Sequence, residues 1–112
     1  MPEVHADTVA HVILLAREMR DPGTSAATIV AQLRGFIEGL TEEEQLELVA
    51  IMWIGRESFE AAEFDEAIAT ARAERTTPTA DYLVNAPLLA DYLENGLEKL
   101  GISPADAEGD LY

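Results

Sequence analysis

Cysteine is absent from the 112 residues, which excludes disulfides, thiolate zinc sites and thiol nucleophiles and is compatible with a reducing compartment. Positive charge is scarce: seven lysines and arginines stand against 22 aspartates and glutamates, a formal net charge of -15. A phosphate backbone or an anionic lipid surface is therefore an unfavourable partner, whereas solubility and cationic partners are favoured. Long apolar runs are missing too. The longest near-continuous one, Leu46 to Ile54, falls far short of the roughly 20 residues that a membrane-spanning helix needs. From Met1 to His11 no basic start leads into an apolar stretch, so no leader peptide is expected and a cytoplasmic, unprocessed protein is. Strand alternation is absent from every long segment, and the five prolines fall between periodic stretches rather than inside them.

What remains is helical periodicity throughout, and it predicts an all-α fold of about five helices in a single domain over residues 1–102, with an acidic tail over 103–112. A first helix from Glu3 or Asp7 to Met19 aligns Val9, Val12, Ile13, Ala16 and Met19 and stops at Asp21-Pro22-Gly23. A second, beginning after Thr24 or Ser25, places Ile29, Val30, Leu33, Phe36, Ile37 and Leu40 on one side. The third is the most clearly marked. Thr41 and Glu44 form a T-x-x-E capping box, and Glu42 and Glu43 lie where the helix dipole favours carboxylates. From Leu46 to Ile54 only Glu47 is polar, so this helix, residues 42–56, is expected to be buried on all sides at the centre of the bundle.

A fourth helix starts near Ser58, and its stripe of Ala61, Phe64, Ala67, Ile68 and Ala71 suits close approach to a neighbour. After Thr76-Thr77-Pro78, Thr79 is expected to cap a short turn to Val84. Pro87 then leads into a last helix lined by Leu89, Leu93, Leu97 and Leu100, and Gly101 followed by Ile102 predicts a left-handed cap at its end.

From Leu40 to Leu100 the order of these signals resembles a bacterial family, domain of unknown function 3775. The resemblance rests on Leu40-Thr41-Glu42-Glu43-Glu44-Gln45, on Leu48 through Trp53-Ile54-Gly55-Arg56, and on Tyr82-Leu83 with Pro87-Leu88-Leu89-Ala90-Asp91-Tyr92-Leu93. It covers a little over half the chain. The resemblance implies no activity, substrate or cofactor.

Candidate chemistry is sparse. His5 and His11 are the only imidazoles. Six residues apart on a helix, they point about 120 degrees away from each other, which is poor chelating geometry. Asp7, His11 and Glu18 share a face suited at most to a weak divalent metal, against which stands an ordinary solvated face, so no metal and no cofactor is expected. No serine carries a nucleophile-elbow turn, and Gly35, Gly39, Gly55, Gly96 and Gly101 form no phosphate loop; no catalytic residue is assigned. Trp53 and Arg56, three apart, share a helix face and, with Tyr82 and Tyr92, are the candidate ligand or partner residues. Their structural alternative has Trp53 in the core and Arg56 complementing the helix dipole while pairing with Glu57, Glu60 or Asp91. Leu14 and Leu15 widen the first helix's apolar stripe and point to self-association. The leading expectation is thus a non-enzymatic interaction or homodimerisation module. A small-ligand-binding protein or enzyme with a pocket near Trp53 and Arg56 is the alternative, and an acidic mimic of nucleic acid is a weaker third.

Overall fold

Helical periodicity is realised along the whole described chain. The structure, a computed structural model that describes residues 6–21, 23 and 26–102, contains among those residues six α-helices, a single 3-10 turn and no strand. The helices are α1 (Ala6–Met19), α2 (Ala26–Glu38), α3 (Glu42–Gly55), α4 (Phe64–Glu74, entered through the 3-10 turn Ala61–Glu63), α5 (Thr79–Val84) and α6 (Leu89–Lys99). The expectations about Glu3, His5, Pro22, Thr24, Ser25 and the tail 103–112 lie outside the described residues.

The capping box forms at Thr41: its Oγ1 accepts from the Glu44 N–H at 3.1 Å, and its own N–H donates to Glu44 Oε1 at 3.0 Å. Gln45, one residue on, donates its side-chain amide to the carbonyls of Ile37 (2.9 Å) and Leu40 (3.3 Å), tying the start of α3 to the end of α2 and the turn after it. At the other end of the chain, Gly101 takes φ +80. The Gly101 N–H donates to Glu98 and the Ile102 N–H to Leu97, the paired bonds of the predicted left-handed cap.

Two boundaries differ from expectation. The Thr79–Val84 segment is a helix in its own right, because Pro78, with its fixed φ, takes the capping position and Thr79 is the first helical residue, its side chain buried rather than turned back onto the backbone. The fourth helix begins at Ala61–Phe64 rather than near Ser58. Residues 56–60 are spent on ending α3: Glu57 adopts φ 69, Ser58 N–H bonds to the Trp53 carbonyl, and Glu60 N–H is taken by Glu63 Oε1 at 2.8 Å.

The helices pack as a closed sequence of neighbours. α3 lies against α6, α6 against α1, α1 against α2, α2 against α5, and α5 returns to α3, while α4 packs on α3 as well. One apolar cluster runs through all of them, with Leu33, Ile37, Leu48, Ile51, Met52, Ile54, Leu83, Leu93 and Leu97 among its most enclosed side chains. Burial of each such side chain stabilises the fold by about 1.5–3 kcal/mol before chain entropy is subtracted. The tightest contact joins α3 to α6. A Cβ on Gly55 would fall 1.7 Å from the Tyr92 carbonyl oxygen, and one on Gly96 would fall 2.1 Å from that of Ile51, so both helices need hydrogen there. Asn95 Nδ2 donates to the Gly55 carbonyl at 2.6 Å across the same crossing.

The expected enclosure of α3 on all sides holds for Leu46 to Met52, Ile54 and Gly55, but not for the indole: Trp53 is half-buried. The reason is geometric. α4 ends at Glu74 and α5 begins at Thr79, so the connection between them does not cover the stretch of α3 on which Trp53 stands.

Candidate functional site

That gap is a cleft of about 260 Å³ between α3, the end of α4, the 75–78 connection and α5. Its floor is one stripe of α3: Leu46, Val49, Trp53 and Arg56 follow the helical spacing i, i+3, i+7, i+10 and therefore point the same way. Ala71 of α4 faces them, and its small side chain leaves the space open. Glu74, Arg75, Thr76, Thr77, Thr79 and Tyr82 complete the wall. The cleft is thus apolar below and rich in hydrogen-bonding groups above.

Trp53 organises the site. Its indole N–H donates to the Tyr82 hydroxyl at 2.9 Å, which leaves that phenol's own O–H free to donate elsewhere. Its ring stacks on Phe59 with centroids 5.7 Å apart and planes inclined by 16°. The Arg56 guanidinium carbon lies 5.7 Å from the centroid of the same ring, within cation–π range. Arg56 Nε donates to Ser58 Oγ at 2.9 Å, which orients the guanidinium plane and leaves both terminal amino groups available.

The ion pairs set Arg56 apart. Arg17 pairs with Glu94 (2.6 Å), Arg72 with Glu43 (2.8 Å), Arg75 with Glu42 (3.1 Å) and Lys99 with Glu57 (3.4 Å), and Arg34 pairs with Asp81. Arg20 and Arg56 pair with no described carboxylate, although acidic residues outnumber basic ones about three to one. The expected partners Glu57, Glu60 and Asp91 are not those of Arg56, because the chain reversal at Glu57 sends that carboxylate to Lys99 and brings Ser58 to Arg56 instead.

Of the four residues singled out from the sequence, the structure brings Trp53, Arg56 and Tyr82 together and separates Tyr92, which does not line the cleft. Its backbone belongs to the Gly55 crossing, two residues along α3 and hence on a different face from Trp53. The remaining lining residues were not foreseen. The stripe ending on Arg56 was the available signal, but it is hidden in a helix that is apolar nearly all round.

Elsewhere, Leu15 is covered by its own chain at 8% exposure whereas Leu14 is 53% exposed, so only one of the two widens the outer surface of α1. His11 is exposed and tilts against the Phe36 ring at 4.4 Å, and Asp7 accepts from the Thr8 N–H. Among the described residues no three histidine, aspartate or glutamate side chains gather in a metal-binding arrangement, and no helix is long and apolar enough to cross a membrane.

No curated protein and no solved structure matches the chain. Residues 30–102 match the model of a family described as protein of unknown function (DUF3775), and the chain belongs to that family. The match opens at residue 30, within α2, and so takes in part of a helix that the resemblance between Leu40 and Leu100 leaves out.

Proposed function

We propose that this family member is a non-enzymatic binding module whose ligand occupies the cleft beside Trp53 and Arg56. The observation that carries the reading is Arg56: a guanidinium with no carboxylate partner among the described residues of a strongly acidic chain, oriented by Ser58 and Trp53 at the edge of the cleft. An arginine held in this way recognises an acceptor at a reduced ordering cost. At about 260 Å³ the cleft lies just below the range of roughly 300–1,000 Å³ usual for drug-sized ligands, which favours a small molecule. The wall offers recognition groups, namely hydroxyls, one carboxylate and guanidinium groups, rather than a nucleophile beside a base.

Titration with a set of small uncharged and charged fragments, followed by NMR, tests this directly. Signals of the Trp53 indole and of the Leu46 and Val49 methyl groups should shift together for some members of the set. Shifts confined to α1 around Leu14, or none at millimolar concentrations, would remove the reading.

A second reading, homodimerisation, is supported by Leu14, a large aliphatic side chain with half its surface in solvent. It predicts association at high micromolar concentration that Leu14→Glu abolishes; sedimentation equilibrium of a strict monomer would end it. The scarcity of basic residues and the absence of cysteine support a cytoplasmic setting without nucleic-acid or membrane partners.

A further inference from the structure

Resting on the proposed binding role of the cleft, we infer that its occupant is a small organic carboxylate with an apolar body, held by a forked bond from Arg56 over the floor formed by Leu46, Val49 and Trp53. Three features select this chemistry. First, Arg56 has Nε committed to Ser58 Oγ, so its two terminal amino groups form the remaining fork, and that fork matches the two oxygens of a carboxylate. Second, the apolar surface beside the guanidinium is the half-buried Trp53 ring above the enclosed Leu46, Val49 and Ala71, so a bare inorganic anion leaves the indole uncovered, whereas an acid with a hydrocarbon or aromatic body covers it. Third, the charge supply is small. Arg75, the other arginine lining the cleft, is already paired with Glu42 at 3.1 Å, and Glu74 contributes a carboxylate to the same wall. With one guanidinium in the cleft that has no described carboxylate partner, in a molecule of net charge -15, a single negative charge is matched and a polyphosphate is repelled.

Trp53 is the single tryptophan of the chain, so its fluorescence reports on this cleft alone. The probes are 3-phenylpropionate, its neutral amide 3-phenylpropionamide, and inorganic tripolyphosphate. The wild-type protein should bind 3-phenylpropionate saturably and at least tenfold more tightly than the amide, a discrimination of about 1.4 kcal/mol. Tripolyphosphate should neither change the emission nor compete. Arg56→Gln, shown to be folded by circular dichroism, should remove the preference for the acid over the amide, and Arg56→Lys should restore part of that preference through charge without the fork. Equal binding of acid and amide to the wild type overturns the carboxylate assignment but leaves the cleft as a binding site. Competition by tripolyphosphate overturns it in favour of a general anion site. Failure of both organic probes to move the emission, together with an unresponsive NMR spectrum in the fragment titration, removes the cleft reading and this inference at once.

Discussion

At the scale of single residues, the glycines separate by what surrounds them. Gly55 and Gly96 face backbone oxygens of the opposite helix at distances no Cβ tolerates, so Gly55→Ala or Gly96→Ala must push α3 and α6 apart. Overpacking of a rigid contact costs about 1–3 kcal/mol and more where backbone must move, so a loss of about 3 kcal/mol is expected for each. Gly35, in the last turn of α2, has open space around the position a Cβ would take. Gly35→Ala should therefore stabilise the protein by about 0.5–1 kcal/mol, through helix propensity alone. Urea denaturation of the three variants checks the contrast, and similar stabilities for Gly35→Ala and Gly96→Ala would contradict the close crossing. Tyr82 offers a finer test. Tyr82→Phe removes the acceptor for the Trp53 indole N–H. In this half-exposed setting the loss should be about 0.5–1.5 kcal/mol, accompanied by a shifted indole proton resonance. An unmoved resonance would mean that the bond does not persist in solution.

At the scale of elements, the helix ends decide how the cleft is built. α3 finishes with a non-glycine residue in the left-handed region, Glu57 at φ 69, and this turn delivers Ser58 to Arg56. Holding an L-residue there costs about 1–2 kcal/mol, while the Glu57 carboxylate, 75% exposed in its pair with Lys99, returns little. Glu57→Gly should accordingly be more stable than Glu57→Ala by about 1 kcal/mol, since both lose the pair but only alanine keeps the strain. Equal midpoints in a denaturant series would argue against the positive φ. The same turn shows where sequence reasoning reaches its limit. Gly101 announces its left-handed cap because glycine is the residue that adopts that conformation freely, and Thr41 with Glu44 announces the start of α3 through paired side-chain and backbone chemistry. A glutamate at position 57, or Leu88 at φ 58 before α6, carries no such mark, because tertiary packing rather than local preference imposes the conformation. The fold class and most helix boundaries were therefore legible, as was the gathering of Trp53, Arg56 and Tyr82. The cleft was not, since α3 is apolar nearly all round and its pattern does not say which stripe lacks a covering neighbour. Tyr92 lies outside the cleft for a related reason: periodicity orders the faces of its own helix but not their alignment with α3.

At the scale of the whole molecule, electrostatics works against the fold rather than for it. The ion pairs between helices join side chains that are 35% to 75% exposed, and such pairs contribute about 0–1 kcal/mol each, falling as salt rises. Opposing them is the mutual repulsion of a chain with net charge -15, which compaction makes worse. Added salt weakens both, because the screening length drops from about 30 Å at 0.01 M to about 3 Å at 1 M. It weakens the repulsion more, since unlike the contact pairs the excess carboxylates interact over distances longer than the shorter of these lengths. The net expectation is that unfolding free energy at neutral pH rises by on the order of 1 kcal/mol between 0.01 M and 0.5 M sodium chloride. Urea unfolding, whose denaturant carries no charge, is the suitable measurement, with the midpoint moving up and the slope unchanged. The pairs set the sign of the alternative: a midpoint that falls with salt would mean that Arg17–Glu94, Arg34–Asp81 and their counterparts outweigh the global repulsion, and that the acidic excess is tolerated because it is locally arranged rather than merely diluted over the surface.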